Sequence, residues 1–185
     1  ATYDGVRELI EDMPDDSSII FTTFSDSCCL GERRRPREVD VDAYRRLGGM
    51  TALYDTIVAV AQHADQHPSE KLTVVLLTDG RDTASGKTAQ QARDAIKKLQ
   101  GKRDHKILFM GCNQDAVLSA GNLGIPSGRS MTSAQLCPWH GEGSGSQTSN
   151  GTFSTVSASI LATEPPAETC TIYQTISRCK LFSRS

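Results

Sequence analysis

Two largely apolar runs constrain what this chain can fold into. They read Leu-Thr-Val-Val-Leu-Leu at residues 72–77 and Lys-Ile-Leu-Phe-Met-Gly at residues 106–111. Neither run alternates polar with apolar residues, and a strand without a polar face is typical of a parallel sheet that is covered on both faces. Parallel neighbours need a long crossover connection, which is most often a helix. The two runs therefore predict a buried parallel sheet with α/β connections.

Helical periodicity fills the intervals around these strands. Thr88 and Gln91 have the spacing of a capping box, which predicts a helix start, and Gly101 is placed to end that helix. A further strand is predicted at residues 18–24, where β-branched and aromatic residues cluster. The expected buried stripes, spaced three or four residues apart, are Val6, Leu9, Ile10 and Met13; Leu53, Ile57, Val60, Ala61 and Ala64; and Ala89, Ala92, Ile96 and Leu99.

The order of these elements predicts an α/β fold of the doubly wound, Rossmann-like type, with a mostly parallel sheet and helices on both faces. Any ligand is then expected at the carboxyl ends of the parallel strands. We assign residues 1–135 to this domain. Residues 136–185 are rich in Ser, Thr and Gly, and we expect a mostly disordered tail that holds one short strand at 169–182 or none.

Composition excludes several classes of partner. The formal net charge of −2 and a pI of about 6.1 give no electrostatic reason to expect nucleic acid or an anionic membrane. No apolar run approaches the roughly 20 residues that a membrane-spanning helix needs. The basic run at 33–37 is interpreted as a solvated sheet edge. Because Cys28 and Cys29 are adjacent, the cysteines do not resemble a disulfide framework, and we expect reduced thiols and a cytoplasmic location.

Two oxygen-bearing side chains are predicted to meet at one rim of the sheet. Asp79 follows the strand at 72–77, and Thr51 precedes the helix that begins near residue 53. A carboxylate and a hydroxyl are ligands that suit Mg²⁺ or Mn²⁺. The start of the helix would add a positive dipole end that favours an anionic ligand. Asp26 and Asp55 are two further carboxylates that could approach this rim, although the favoured interpretation of each is a surface or capping carboxylate. The alternative interpretation is purely structural, with Asp79 turning the chain and Thr51 capping a helix.

Three sequence stretches resemble successive pieces of a von Willebrand factor type A (vWA) domain. They read GGMTALYDTI at 48–57, LTVVLLTDGRDT at 72–83 and ILFMGCNQDAVLSAGNLGIPSGRSMT at 107–132. The similarity is greatest to stand-alone, intracellular-type members of the family, and it covers roughly residues 1–135. The order and spacing of the three stretches make the resemblance more specific than any single motif.

The resemblance implies a metal-ion-dependent adhesion site built from three loops. Thr51 matches the second loop and Asp79 the third, whereas the first loop, Asp-x-Ser-x-Ser, is absent. The strand that precedes that loop would be central in the sheet, between residues 18–24 and 72–77. The chain begins after this strand, so we expect an N-terminally truncated domain with a gap, closed directly or folding poorly. A metal held by Thr51 and Asp79 alone would be bound weakly.

The expected function is protein binding without catalysis. The resemblance implies that an acidic residue of a protein partner completes the coordination of a divalent metal at the rim. Two alternatives remain open, a vWA-like fragment that binds without metal and a metal-assisted hydrolase that uses Asp79. Three further patterns are interpreted as coincidental or structural: the CPWHG stretch at 137–141, the glycine-rich stretch at 141–146, and the pair His63 and His67.

Overall fold

The computed structural model describes residues 2–44, 50–67, 71–78, 81–102, 105–111, 115–132 and 170–176. Short 3₁₀ turns lie at Pro36–Glu38, Val41–Tyr44 and Ser127–Arg129. The helices in these ranges are α1 (Thr2–Glu11), α2 (Leu53–Gln66), α3 (Ala89–Gln100) and α4 (Asp115–Asn122). The strands are β1 (Ser18–Phe24), β2 (Cys28–Cys29), β3 (Arg33–Arg34), β4 (Lys71–Thr78), β5 (His105–Gly111), β6 (Ser130–Thr132) and β7 (Cys170–Ile176).

The strands form one mixed sheet in which most pairs are parallel. Its order is β2-β1-β7-β4-β5-β6, and β3 pairs with β1 beside β2. The two short strands β2 and β3 run antiparallel to β1, whereas β1, β7, β4, β5 and β6 pair in parallel. The chain is therefore a mixed α/β protein with a mostly parallel sheet, as the apolar runs predicted.

The central position that was expected to be vacant is occupied by β7. In the parallel register, Thr175 lies level with Thr22 of β1 on one side and with Leu76 of β4 on the other. Without a strand between them, β1 and β4 would each leave a row of backbone N–H and C=O groups unpaired in an apolar setting, which is costly. The prediction of a gap or of direct closure is therefore wrong. The strand comes from 170–176, within the region 136–185 that was expected to be mostly disordered, and the rest of that region lies outside the described residues.

The core on one side of the sheet follows the predicted helical stripes. Alternate residues of β1, β4 and β5 meet buried residues of α2, α3 and α4 in a single apolar cluster. Burial of each large aliphatic or aromatic side chain in such a cluster contributes roughly 1.5–3 kcal/mol. Every residue of the predicted α2 stripe is buried, and so are Ala92, Ile96 and Leu99 of α3. The α1 stripe is also buried and lies outside this cluster.

Two local features of the sequence explain the start of α3 and the outer edge of the sheet. Thr88 Oγ1 accepts a hydrogen bond from the Gln91 amide at 3.3 Å, and Gln91 Oε1 accepts from the Thr88 amide at 2.9 Å. At the edge, Gly31 lies so close to β1 that a Cβ there would meet the Phe21 carbonyl oxygen at 2.0 Å. Only glycine fits at that position, since any side chain would overlap the backbone.

The central position of β7 generates a testable prediction. Replacing Gln174 by Pro removes an N–H from the middle of the strand and leaves a carbonyl of a neighbouring strand unpaired, which costs about 1–3 kcal/mol. We expect a lower midpoint of thermal unfolding by circular dichroism. Gln174→Ala is the matched control, because it removes most of the side chain and keeps the N–H. Equal midpoints for the two variants would contradict a central β7.

Candidate functional site

Thr51 is bound to the loop that follows β4. It precedes α2 by two residues and is only 9% exposed. Its amide donates to Thr83 Oγ1 at 2.9 Å, and the Thr83 amide donates back to the Thr51 carbonyl at 2.8 Å. The start of α2 and the loop 81–88 therefore lie together at the carboxyl end of the sheet, which we call the rim. Asp79, the other predicted metal ligand, lies outside the described residues.

The first turn of α2 is capped by side chains from that loop. The residue at the N-cap position is Ala52, which has no side-chain acceptor. In its place, Asp82 Oδ1 accepts from the Tyr54 amide at 3.1 Å, and Ser85 Oγ accepts from the Asp55 amide at 3.0 Å. The Ser85 hydroxyl in turn donates to Asp82 Oδ1 at 2.5 Å. The carboxylate of Asp82 therefore acts as an N-cap from some thirty residues downstream.

This capping changes the expectation for the helix dipole. The sequence predicted that the start of α2 favours an anionic ligand. In the structure, the negative group at this helix end is the chain's own Asp82, and the amides of Tyr54 and Asp55 already have acceptors. A negative charge at a helix N-terminus stabilises the fold by roughly 0.3–1 kcal/mol. The dipole is therefore used for local stability, and no open anion site forms on these two amides.

The two additional carboxylates also bind backbone amides. Asp55 accepts from the Gly86 amide at 3.0 Å and from the Lys87 amide at 2.8 Å, one bond to each carboxylate oxygen. Asp26 Oδ1 accepts from the Met50 amide at 2.6 Å. Asp55 therefore fixes the far end of the loop 81–88 against α2, and Asp26 fixes the segment that leads into Thr51. Both residues therefore bind backbone amides, as the interpretation of each as a capping carboxylate predicted.

The described residues do not by themselves fit a divalent metal. No group of three or more His, Cys, Asp or Glu side chains suited to a metal occurs among them. At the rim, the carboxylates of Asp26, Asp55 and Asp82 are held by backbone amides, which orients them toward the loops. A divalent cation of the Mg²⁺ type needs several oxygens in an octahedral arrangement to offset its dehydration. Thr51 supplies one hydroxyl oxygen at most.

A cleft of about 410 Å³ opens between α2, α3 and α4, next to the loop 81–88. Its apolar lining includes Leu53 and Leu123, which are buried, and Leu118, which is 62% exposed. Arg93, an exposed residue of α3, also lines the cleft. The other lining residues are Tyr54, Arg81, Asp82, Ala89, Ser119 and Asn122. The cleft thus combines an apolar floor with cationic and hydrogen-bonding groups at its margin.

The adjacent cysteines are free thiols in different surroundings. Both lie in β2, near the start of α2, where Cys28 is half-buried and Cys29 is exposed. Burial raises the pKa of the Cys28 thiol, and a hydrogen bond with Thr56 partly offsets this rise. Neither thiol forms a disulfide in the structure, and the reduced state of the pair stays a prediction. The other four cysteines lie outside the residues for which side chains are described.

The remaining sequence patterns have structural surroundings or fall outside the description. Within the basic run, Arg34 pairs with Glu32 at 3.3 Å and Arg37 with Asp15 at 2.7 Å, as expected of a solvated edge. The rings of His63 and His67 stack with centroids 4.6 Å apart at the end of α2. The stretches 137–141 and 141–146 lie outside the described residues.

Sequence reasoning missed Asp82, Thr83, Ser85 and Arg93. A local signal existed for the first three, because Asp, Thr and Ser clustered after a strand are the residue types that bind backbone amides. The sequence around these residues does not indicate that they bind the amides at the start of α2, such as that of Tyr54. Arg93 sits on the polar face of a helix, where its role depends on the neighbouring α4.

Comparison with protein-family models, with curated proteins and with solved structures finds no match to this chain. Among the helices in the described part of the chain, none has the length and apolar character required to cross a bilayer.

The cap formed by Asp82 predicts a specific loss of stability. Replacing Asp82 by Ala leaves the Tyr54 amide and the Ser85 hydroxyl without their acceptor, and loss of an N-cap costs about 0.5–2 kcal/mol. Urea denaturation should show this decrease in the free energy of unfolding. Asp94→Ala is a matched control, since it removes an exposed carboxylate whose described partner is Gln90 of the same helix. An equal loss in both variants would contradict the capping role.

The two thiols of β2 are expected to react at different rates. Cys29 should be alkylated by iodoacetamide before Cys28, because Cys28 is half-buried and its pKa is raised, so that less thiolate is present at pH 8. Peptide mass spectrometry over time gives both rates. The same reaction in 8 M urea is the control and should remove the difference. Faster alkylation of Cys28 in the folded chain would overturn this assignment.

Proposed function

We propose that this chain is a protein-binding module of the vWA type, which recognises an acidic segment of a partner at the rim of its sheet. The observation that carries the proposal is the pairing of the Thr51 segment with the loop after β4, at 2.8 and 2.9 Å. These are the second and third recognition loops of the vWA resemblance. Two loops can form one recognition surface only if they lie side by side, and these hydrogen bonds hold them together.

The strand order is consistent with this assignment. A vWA-like sheet needs a central parallel strand between β1 and β4, and β7 lies at that position with a continuous register on both sides. In our proposal the sheet is doubly wound, with helices on both faces, and β7 replaces the strand that would precede the helix α1. A different segment of chain then completes the same architecture.

The cleft beside the loop 81–88 is the proposed seat for the partner. An aliphatic side chain would enter between Leu53, Leu118 and Leu123, where it would remove apolar surface from water. A neighbouring carboxylate of the partner would then meet the guanidinium of Arg93, and such pairs give charge-assisted hydrogen bonds. Asp82 binds the cap of α2 through Oδ1, and it forms no ion pair with Arg93 in the structure. Recognition of this kind needs no catalysis and no metal.

A metal-dependent form of the proposal uses the pair named from the sequence. Thr51 and Asp79 would bind Mg²⁺ or Mn²⁺ weakly, and the carboxylate of the partner would complete the coordination. The segment that follows β7 reads SRCKLFSRS at 177–185, so it supplies no carboxylate in place of the missing Asp-x-Ser-x-Ser loop. A metal-assisted hydrolase would need a second carboxylate at the rim that does not bind backbone amides. No feature of the described residues favours this alternative.

Peptide display tests the proposed recognition. Selection of random heptapeptides on the immobilised chain should enrich Asp or Glu next to Leu, Ile or Phe, because the cleft joins an apolar floor to Arg93. Enrichment should be lost with Arg93→Glu and retained with Lys97→Glu, which makes the same charge change one turn along α3. Acidic peptides that bind Arg93→Glu equally well would overturn the role of the cleft. Enrichment that requires Mg²⁺ and is abolished by EDTA would favour the metal-dependent form.

Thermal unfolding with and without metal tests Thr51 directly. A ligand that binds only the folded state, at ten times its dissociation constant, stabilises it by about 1.4 kcal/mol, which is roughly 3–5 °C for a domain of this size. In the metal-dependent form, 10 mM Mg²⁺ or Mn²⁺ should produce such a shift in the wild-type chain and in Thr51→Ser. The shift should be absent in Thr51→Ala. The same midpoint with metal and with EDTA in all three chains would exclude this form and leave the metal-free one.

A further inference from the structure

The sheet contains a strand position that connects its two halves. On one side β7 pairs with β1, from Ser18↔Thr171 to Thr23↔Ile176, and on the other side with β4, from Lys71↔Cys170 to Leu77↔Ile176. Within the described residues, β1 and β4 do not pair with each other. Removing β7 would therefore separate β1, with its short edge strands, from β4, β5 and β6.

The position of β7 has the properties of a binding site for an extended peptide. Both walls offer rows of backbone donors and acceptors, which bind any parallel strand of the correct length. Side chains of the walls are buried on both faces of the sheet, including Phe21 and Val75 at the level of residue 174. Side chains at one level of neighbouring strands lie on the same face of the sheet. The buried side chains of the walls therefore also favour particular side chains in the strand that binds.

Two polar residues lie at or beside this largely apolar strand position. Gln174, a polar residue, lies level with the apolar pair Phe21 and Val75. The hydroxyl of Thr22, on the β1 wall, is fully buried and has no hydrogen-bond partner within the described part of the chain. A buried polar group without a partner destabilises the folded state. The parallel backbone pairing on both sides is the described interaction that holds β7 in the sheet.

The covalent connection to β7 is long enough to reach a second molecule. Residues 133–169 separate the end of β6 from the start of β7. Fully extended, such a segment spans roughly 120 Å, several times the size of a small domain. A strand tethered to its own sheet has an effective concentration in the millimolar range, and this value depends only weakly on the length of the tether. A strand from another molecule therefore competes with it at similar concentrations.

We propose that the position between β1 and β4 is a strand-binding site that accepts β7 from a second copy of this chain. The second copy is the occupant that the register supports, because its strand has the sequence that pairs in parallel with β1 and β4 in this chain. Reciprocal exchange fills both sites and closes a two-fold dimer that leaves no unpaired central edge. The proposal is independent of the recognition surface at the rim.

The binding site is tested with the full chain that carries Gln174→Pro, whose own β7 cannot complete the pairing. A fluorescent peptide of residues 168–178 should bind this variant saturably, at one peptide per chain, and raise its unfolding midpoint toward that of the wild type. The same peptide with Pro at position 174 is the control and should do neither. If the variant is unfolded alone, binding and folding should appear together when the wild-type peptide is added. Equal binding of the two peptides, or no binding, would overturn the proposal.

Exchange between copies is tested with two wild-type chains that carry different tags. Co-refolding at about 1 mM, followed by dilution, should give a dimer by light scattering that contains both tags and reverts slowly to monomer. Gln174→Pro chains treated in the same way should remain monomeric. A mixed dimer that forms equally well with Gln174→Pro would place the interface elsewhere and overturn the exchange, as would the absence of any mixed dimer.

Discussion

The hydrogen bonding of β7 to both β1 and β4 is the interaction on which the rest of the structure depends. These two strands carry the buried residues that pack against α2 and α3, and they end at the rim where Thr51 and the loop 81–88 meet. If the two half-sheets were not joined, their inner edges would expose unpaired backbone groups beside apolar side chains. One parallel strand from late in the chain pairs with the backbone groups of both inner edges. The geometry of the rim therefore depends on residues 170–176.

The rim is organised by carboxylates that bind amides of the chain. Asp82 caps α2, Asp55 holds the end of the loop 81–88, and Asp26 holds the segment before Thr51. Acidic residues at the carboxyl ends of parallel strands suggest metal binding when they are read in sequence. Here those in the described residues are used to position two loops. The recognition that we propose therefore uses the apolar and cationic cleft beside these loops and does not require a complete metal site.

Charge at the surface is also arranged for local pairing. Lys98 and Lys102 of the α3 region both bind Asp65 at the end of α2, and these bonds lower the pKa of its carboxyl group. The stability that Asp65 contributes is therefore present above the ordinary carboxyl pKa and is lost as the pH falls through the lowered value. Because Lys98 is exposed and both Asp65 and Lys102 are partly exposed, salt screens the two ion pairs, and their contribution is small. They fix α2 against α3, which form two walls of the cleft.

The sequence by itself determined the elements and their buried faces. The stripe from Leu53 to Ala64, the capping box at Thr88 and the apolar runs that became β4 and β5 all follow from periodicity and local chemistry, which neighbours along the chain decide. Only the tertiary structure decided which segment fills the centre of the sheet and which groups cap α2. The weak pattern of 170–176 becomes a strand because two distant edges need a partner, and Asp82 becomes a cap because Ala52 cannot be one. Both outcomes depend on contacts between residues far apart in sequence, which no local pattern encodes.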